Sequence, residues 1–397
     1  MTRIEGYSGL NPMGRYFRKG EKVMTYHLRD LRYQKKFRSP DRLIHHLNHF
    51  SLDLKFSVGI WYFTPSGGRF HDRYVPEATI EERLGMAAAM AKYGVKGIEA
   101  HFPAEVNYEN LHLYKKLEKE SGIKLVAIAF SHFFDRDFEF GSLSNPNRKI
   151  RDKAIAIAVD GLNMVRESGA SFAISWPGMD GYMYSLGTIF PWMWDWFEGS
   201  MAEAMDEVPG VRVALEPKPY EPAPNNIYRT TAEGILAGKR IEARLKNPAN
   251  RKLLDAGHAL FCLNPEIGHV RMGFEDAAAV YSLVGLEGRL AHTHWNSQPL
   301  GNYDQDLNVG VVEWQQAEAL LFALKQMGYR EFFGIDINPE RMPVQKAIEI
   351  NTTVMKIIND RINSLPNEKI VECYLHPEMH RGELEILLAE RMRRKRA

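Results

Sequence analysis

Carboxylate and imidazole side chains recur in short segments along the second half of this 397-residue chain. Glu216 is followed two residues later by Lys218, and Glu266 is followed three residues later by His269. The remaining members of the set are His292, His294, Asp304, Asp306 and Asp336. Oxygen donors with a few nitrogens are the ligands that Mg²⁺, Mn²⁺ and Co²⁺ take in proteins. The set therefore indicates metal chemistry, provided that the fold brings its members together.

The elements that carry these residues follow a repeating pattern. From residue 56 onward, short β-branched or aromatic runs alternate with longer amphipathic runs. Eight runs predict strands, at 56–61, 97–101, 125–130, 171–176, 212–216, 260–264, 290–295 and 332–337. Eight more predict helices, at 79–93, 108–121, 147–168, 190–207, 230–246, 274–286, 313–327 and 340–363. The repeat predicts an α/β fold, a (β/α)8 TIM barrel, whose site is built at the carboxyl ends of the strands.

An open, doubly wound sheet is the alternative architecture. It is disfavoured because no G-x-G-x-x-G segment follows the first predicted strand. We predict an N-terminal extension over 1–55 and a catalytic barrel over 56–340. The last barrel helix and a helical C-terminal tail, interpreted as wrapping a neighbouring subunit, complete the chain over 341–397.

Composition narrows the classes of partner. Lys plus Arg is 51 and Asp plus Glu is 50, so no phosphate-binding field covers the whole surface. Positive charge gathers in 1–55, with twelve basic against five acidic residues, and in the run 391–396. Few aromatic residues interleave with that run, which disfavours a nucleic-acid role. Two cysteines and no long apolar segment predict a cytoplasmic protein without a disulfide scaffold or a membrane partner.

The acids at the late strand ends would repel one another at one barrel mouth unless cations lay between them. Four side chains from four different strands are suited to surround one metal ion, namely Glu216, Glu266, His294 and Asp336. A second ion would be held by Glu266, His269, Asp304 and Asp306, with Glu266 bridging the two. The sequence therefore predicts two divalent metal ions, Mn²⁺, Mg²⁺ or Co²⁺. His292 is expected to face away from His294 and is interpreted as a packing or supporting residue.

Further candidates surround the predicted metals. Lys218 shares a face with Glu216, where an ammonium group would donate to a substrate oxygen and stabilise developing negative charge. Trp61 and Trp176 end strands one and four, and Phe134 follows strand three. Aromatic side chains at a barrel mouth can wall a dry pocket and stack on the apolar face of a sugar. His101, at the end of strand two, points at the same space.

Several of these segments resemble the xylose isomerase family. The specific matches are Ala214-Leu-Glu-Pro-Lys-Pro219 with Glu221-Pro222, Asn264-Pro-Glu-Ile-Gly-His269 and Tyr303-Asp-Gln-Asp-Leu307. Weaker matches lie at 56–61, 97–101 and 175–178, so the resemblance covers about 56–340.

The resemblance implies an aldose–ketose isomerase that moves hydride between C1 and C2 of a small sugar and assembles as a homo-oligomer, a tetramer or a dimer. It implies that Glu216, Glu266 and Asp336 bind a structural metal. Glu266, His269, Asp304 and Asp306 would bind the catalytic metal. Lys218 would bind the carbonyl oxygen, and His101 would assist opening of the sugar ring. Phe70 would correspond to a phenylalanine donated across the subunit interface.

Two departures from the family pattern stand out. His294 replaces an aspartate, as in L-rhamnose isomerases and tagatose-type epimerases. Glu105 comes one residue later than the acid that orients the family histidine, which leaves open whether it reaches His101. We therefore expect a native sugar that differs from D-xylose.

Other functions use related barrels. A ketose 3-epimerase would resemble a one-metal site, for which Lys218, Asp304 and Asp306 are superfluous. A metal-dependent phosphodiesterase for damaged DNA would require three metals, more histidines and a basic mouth. A barrel without catalysis, whose tails bind a partner, would not need the second set of metal ligands.

Overall fold

The computed structural model describes residues 35–64, 72–339 and 341–391. Eight parallel strands form one sheet in the spatial order β6-β5-β4-β3-β2-β1-β8-β7. The strands are β1 Phe56–Gly59, β2 Val95–Phe102, β3 Lys124–Phe130, β4 Phe172–Ser175, β5 Val213–Leu215, β6 Phe261–Leu263, β7 His294–Trp295 and β8 Phe333–Ile335. All eight predicted strands are present, because each is a buried β-branched or aromatic run of the kind that parallel sheets favour.

The sheet closes between β6 and β7. Isolated parallel bridges join Leu263 to Leu290 and Glu266 to His294, and the Ala291 amide donates to the Leu263 carbonyl at 3.0 Å. These contacts complete the ring that the linear strand order leaves open. The predicted (β/α)8 TIM barrel is therefore confirmed.

Helices cover the outside of the ring. They are α1 Pro40–His49, α2 Ile80–Ala88, α3 Leu111–Ser121, α4 Arg148–Ser168, α5 Phe190–Glu207, α6 Thr231–Arg244, α7 Pro248–Asp255, α8 Ile267–Met272, α9 Ala277–Leu286, α10 Trp314–Met327, α11 Val344–Asn363, α12 Asn367–Leu375 and α13 Glu383–Arg391. Capping boxes start two of them, with Thr79 paired to Glu82 and Thr230 paired to Glu233. The segment predicted as one helix over 79–93 changes to a 3-10 turn at Ala89.

Helices α1 and α12 contact each other on the barrel surface. Asn48 of α1 donates to Glu368 of α12 at 2.6 Å and accepts from Asn367 at 2.7 Å. Residues 1–34 and the basic run after Arg391 lie outside the described residues. Among the residues that the structure describes, no helix combines the length and apolarity needed to cross a membrane.

Two apolar clusters make the core. The larger lies between the strands and the helices. The smaller is contributed by strands and the residues beside them, including Val126, Phe172 and Cys262. It fills part of the barrel interior, so the barrel is a packed core rather than a channel. The polar residues discussed below therefore rest on a close-packed floor.

Gly97 tests how closely this interior is packed. A Cβ atom at this position of β2 would lie 2.4 Å from Val126 Cγ2 and 2.9 Å from Phe332 Cε1. We predict that Gly97→Ala lowers the free energy of unfolding by about 1–3 kcal/mol, because overpacking displaces both neighbours. Denaturant titration followed by circular dichroism measures this change.

Gly85→Ala is the matched control. Gly85 lies inside α2, and no atom lies within 4 Å of the position of the added Cβ. The same chemical change should raise stability there by about 0.5–1 kcal/mol, the helical cost of glycine relative to alanine. Equal stability of the two variants would contradict the packing described for β2.

Candidate functional site

The first group of candidate metal ligands lies in β7 and just after the carboxyl ends of β5, β6 and β8. Glu216 follows β5, Glu266 follows β6, His294 begins β7 and Asp336 follows β8. One ligand atom from each of these four residues lies within 4.8 Å of the others. His294 Nδ1 is 3.0 Å from Glu216 Oε2 and 3.1 Å from Asp336 Oδ2. The four residues predicted to surround one ion are thus brought together.

A second group shares Glu266 with the first. His269 Nε2 lies 3.4 Å from Glu266 Oε1 and 3.1 Å from Asp304 Oδ2, and the three residues form a compact set. Asp306, predicted as the fourth member, lies beside this set. The side chain of Asn296 donates to Asp306 Oδ1 at 3.0 Å and to Glu266 Oε1 at 2.8 Å.

Local geometry explains how β6 supplies two members. The strand ends at Leu263, Glu266 precedes the first turn of α8, and His269 stands within that turn. The Gly268 amide donates to Asn296 Oδ1 at 2.8 Å. A Cβ on Gly268 would lie only 2.8 Å from Glu266 Oε1, so glycine leaves room for the carboxylate. Asn264 donates to Glu216 Oε2 at 2.7 Å and fixes the neighbouring acid.

The carboxylates differ in how well the protein itself neutralises them. Burial, followed by the charges of Asp304, Asp306, Glu216 and Asp336, raises the pKa of Glu266 well above its ordinary value. Burial and Asp304 raise the pKa of Asp306 in the same way. Burial also opposes ionisation of Asp304, but His269 and Lys218 outweigh it and lower its pKa. Glu266 and Asp306 are therefore the acids whose ionised forms the chain itself compensates least.

The residues present fit bound cations. In the described part of the chain, three buried atoms of the two groups lack a hydrogen-bond partner: Nδ1 of His269, Nδ1 of His294 and Oδ1 of Asp304. The Asp304 oxygen carries lone pairs, and an imidazole nitrogen does so when it is unprotonated. Such atoms are costly to bury unless they are satisfied. The mutual repulsion that raises the pKa of Glu266 is relieved by positive charge at the same place.

Lys218 extends from the segment after β5 into the second group. Its side chain is only 6% exposed, and Nζ lies 2.8 Å from Asp304 Oδ2 and 3.5 Å from Glu221 Oε2. Burial alone would lower the pKa of Lys218, but Asp304 and Glu221 raise it above its ordinary value. The side chain is therefore a fixed ammonium that can donate to an oxygen at the mouth. Glu221 also accepts from the Asp304 amide at 2.9 Å. This hydrogen bond holds the loop that carries Asp304 and Asp306.

Aromatic rings line the other side of the mouth. The Trp61 ring lies 4.6 Å from the His101 ring, and Trp61 Nε1 donates to Asp336 Oδ1 at 3.2 Å. Phe133 lies 5.3 Å from His101 and 5.1 Å from Trp176, measured between ring centroids. Lys218 Nζ lies 5.3 Å from the centre of the Trp176 ring. The wall therefore runs without a break from the first group of ligands to the lysine.

Phe134 does not belong to this wall in the single chain. Its side chain is 99% exposed and its φ is 61°, a left-handed conformation that reverses the chain after Phe133. In the single chain Phe133 takes this place in the wall, and the assignment of Phe134 to substrate binding stays a prediction. Two adjacent phenylalanines gave no sequence signal for choosing between them. Phe70 lies outside the described residues.

Glu105 does reach His101. His101 Nδ1 lies 2.9 Å from Glu105 Oε2, and the same oxygen accepts from the His101 amide at 2.9 Å. Arg83 donates to the other oxygen of Glu105 at 3.3 Å. The pairing orients the imidazole and leaves Nε2 as its free ring nitrogen. Glu105 comes one residue later than the acid of the xylose isomerase pattern, and it still contacts His101.

Glu99 is a buried residue that the sequence analysis missed. It lies in β2, two residues before His101, and is 1% exposed. Its carboxylate lies 2.9 Å from Nε2 of His292 and 2.9 Å from Nε2 of His294. Burial opposes ionisation of Glu99, but the two histidines outweigh it and lower its pKa well below its ordinary value. The sequence offered one signal for Glu99, a carboxylate inside a predicted strand. A buried charge is rarely left unpaired, so such a residue points to a buried partner.

Comparison with known proteins gives the family context. The family model for the xylose isomerase-like TIM barrel matches residues 87–355, more than half of the chain. The xylose isomerase of Thermus thermophilus is 27% identical over 294 residues, covering 70% of each chain. That of Thermus caldophilus is 27% identical over 295 residues, with the same coverage.

Solved structures show the same fold at low identity. A D-tagatose 3-epimerase-like protein superposes with a TM-score of 0.55 at 16% identity, covering 78% of this chain and 100% of that one. A D-psicose 3-epimerase crystallised in the presence of D-fructose gives 0.56 at 13% identity, with the same coverage. At these identities the likeness concerns the barrel alone.

The Lys218–Asp304 pair makes a prediction about charge balance at the mouth. Replacing Lys218 with Met leaves Asp304 buried beside Glu266 without its ammonium partner. We predict that Lys218→Met lowers the free energy of unfolding of the chelator-treated protein by about 3–5 kcal/mol, the usual result of removing one partner of a buried pair. Urea titration measures the change.

Lys346→Met is the control for loss of a lysine. Lys346 pairs with Glu349 on the exposed face of α11, with 59% of its side chain accessible. Its removal should change stability by less than about 1 kcal/mol. If the two variants lost the same stability, Lys218 would not be neutralising buried acid.

Proposed function

Because the chain belongs to the xylose isomerase-like TIM barrel family, we propose that it is a metal-dependent sugar isomerase that interconverts an aldose and a ketose. One observation carries the proposal: two compact groups of ligand atoms share the buried carboxylate of Glu266. Two ions bridged by one carboxylate can hold two adjacent oxygens of one substrate at the same time.

Each ion has its own set of residues. The first would be held by Glu216, Glu266, His294 and Asp336. The second would be held by Glu266, His269 and Asp304, with Asp306 beside them. Bound there, divalent ions such as Mn²⁺, Mg²⁺ or Co²⁺ would supply Lewis acidity to neighbouring sugar oxygens.

The reaction exchanges the oxidation levels of two neighbouring carbons. The hydrogen on C2 of the aldose moves to C1 with its electron pair, and the proton of the C2 hydroxyl passes to the oxygen on C1. Lys218, a buried ammonium, would donate to the C1 oxygen as negative charge develops on it. The aromatic wall of Trp61, Phe133 and Trp176 would exclude water while the hydrogen moves.

His101 would act on the cyclic form of the sugar. Its Nδ1 is held by Glu105, so Nε2 is available to move a proton at the ring oxygen or the anomeric hydroxyl. The stack against Trp61 fixes the plane of the imidazole. Such pairing of a histidine with a carboxylate is the usual way to set which ring nitrogen accepts the proton.

We also propose that the protein acts in the cytoplasm as a homo-oligomer. Large apolar side chains are exposed on the loops that follow the strands, among them Phe134, Phe274 and Tyr303. A second copy of the chain over the mouth would cover such residues.

Chelation followed by metal addition tests the reaction. Protein dialysed against chelator should be inactive toward a panel of aldoses and ketoses that includes D-xylose. Addition of Mn²⁺, Co²⁺ or Mg²⁺ should restore interconversion of at least one pair, measured by chromatography of the sugars. If no metal restores interconversion of any sugar, the proposed function is wrong.

A ketose 3-epimerase is the second candidate, because solved epimerases share the barrel. Such an enzyme would exchange the hydrogen on C3 with solvent, whereas a hydride shift keeps the hydrogen on the sugar. Deuterium from heavy water should therefore not appear on the carbon atoms of the product. The isomerase is favoured because Lys218 contacts Asp304 of the second group at 2.8 Å. A one-metal epimerase would need neither residue.

Replacement of Glu266 tests the shared ligand. We predict that Glu266→Gln abolishes activity, because it disturbs both ions. The raised pKa of Glu266 means that its charge opposes folding above pH 4.5, so the neutral amide should make the chelator-treated protein more stable. Activity assays and thermal unfolding measure the two effects.

Glu349→Gln serves as the control. Glu349 is an exposed residue of α11, and its neutralisation should leave activity and stability unchanged. Full activity of Glu266→Gln would contradict the bridging role.

A further inference from the structure

Glu99 is the acceptor of a buried hydrogen-bond cluster beneath the first group of ligands. Oε1 accepts from Ser57 Oγ at 2.7 Å and from His292 Nε2 at 2.9 Å. Oε2 accepts from His294 Nε2 at 2.9 Å. All four residues are buried, with exposures of 2% or less. Glu99 belongs to neither of the two groups proposed to bind metal.

The cluster determines which nitrogen of His294 is available. A carboxylate only accepts hydrogen bonds, so Nε2 of both rings must carry a proton. In a neutral imidazole, Nδ1 then holds the lone pair. In His294 this atom faces Glu216 and Asp336, at 3.0 and 3.1 Å, and it has no aligned hydrogen-bond partner. Glu99 thus directs the donor atom of His294 toward the proposed metal.

We propose that Glu99 is a positioning residue, which fixes the tautomer and orientation of His294 and raises its strength as a metal ligand. The inference rests on the proposed function, because it assumes an ion in the first group. A carboxylate behind a metal-bound imidazole increases the electron density of the ring, and loss of such a partner typically costs 10–100-fold in metal affinity.

His292 completes the arrangement. Its ring is fully buried, lies 5.3 Å from Phe172 and meets the ring of His294 edge to face. By holding Oε1 of Glu99, it leaves Oε2 to His294 and fixes the plane of the carboxylate. The expectation that His292 faces away from His294 is wrong, because residues two apart in a strand share a face and both rings contact Glu99.

Gly334 of β8 lies close to the same cluster. A Cβ on Gly334 would lie 2.6 Å from His292 Nε2, 2.7 Å from His294 Cδ2 and 2.8 Å from Glu99 Oε1. Glycine at this position of β8 therefore leaves room for both rings and for the carboxylate that they contact.

Glu99→Gln tests the role with almost no change in shape. A glutamine side chain offers one oxygen that accepts and one amide that donates, so it cannot accept from both histidines. If the amide faces His294, the proton moves to Nδ1 and blocks the metal ligand. Calorimetric titration of the chelator-treated full-length chain with Mn²⁺ should show two ions bound by the wild type. In Glu99→Gln, one of them should bind 10–100-fold more weakly.

Ser57→Ala is the matched control. It removes the third hydrogen bond to Glu99 and leaves both histidine contacts in place. Both Mn²⁺ affinities should match those of the wild type. If Glu99 were merely structural, Glu99→Gln would lower the melting temperature of the metal-free protein. It would also lower the affinity for both Mn²⁺ ions equally.

A second measurement needs no variant. In ¹⁵N spectra of the Mg²⁺-loaded wild-type protein, His292 and His294 should both carry their proton at Nε2. A His294 ring with its proton at Nδ1 would overturn the inference. Unchanged Mn²⁺ affinities in Glu99→Gln would also overturn it. A third ion that binds the wild type and is lost in Glu99→Gln would do the same, because Glu99 would then be a metal ligand itself.

The proposed function fails in a different way. A wild-type chain that binds fewer than two ions would contradict the two-metal isomerase, whatever the variant does. Two ions in the wild type, with equal binding in Glu99→Gln, would contradict the role of Glu99 alone.

Discussion

Buried negative charge at the carboxyl end of the barrel is the constraint on which the rest of the site depends. Glu216 and Asp304 are neutralised within the chain, by histidines and by Lys218, and their pKa values are lowered. Glu266 also lies near His269, at 3.4 Å, but burial and four neighbouring acids raise its pKa. It is also the residue that the two groups share. The protein thus leaves its uncompensated charge at the position where one carboxylate can serve two cations.

The surrounding structure holds this unfavourable arrangement in place. Asn264 and Asn296 donate to the acids from the neighbouring strand ends, and Gly268 gives Glu266 the space it occupies. The rings of Trp61, Phe133 and Trp176 form one side of the same mouth. Polar amides therefore hold the acids in place beside a wall of aromatic rings.

The repeating pattern of the sequence was sufficient to predict the barrel and the strand ends that carry the ligands. Hydrophobic runs fix strand positions, and parallel strands bring their carboxyl ends to one mouth. The pattern marks Glu99 only as a carboxylate inside a strand. It could not reveal the partners His292 and His294, which lie nearly two hundred positions away. Nor could it choose between Phe133 and Phe134, since a single left-handed residue decides which ring turns inward. Long-range pairing and local backbone reversal are properties of the folded chain.

Anomalous scattering at the manganese edge, from crystals soaked with Mn²⁺ and a ketose, tests the central claim most directly. The account predicts two peaks, one among Glu216, Glu266, His294 and Asp336 and one beside His269 and Asp304. The Glu266 carboxylate should contact both ions, with sugar oxygens completing their coordination. A single peak, or two peaks that do not share Glu266, would contradict the account.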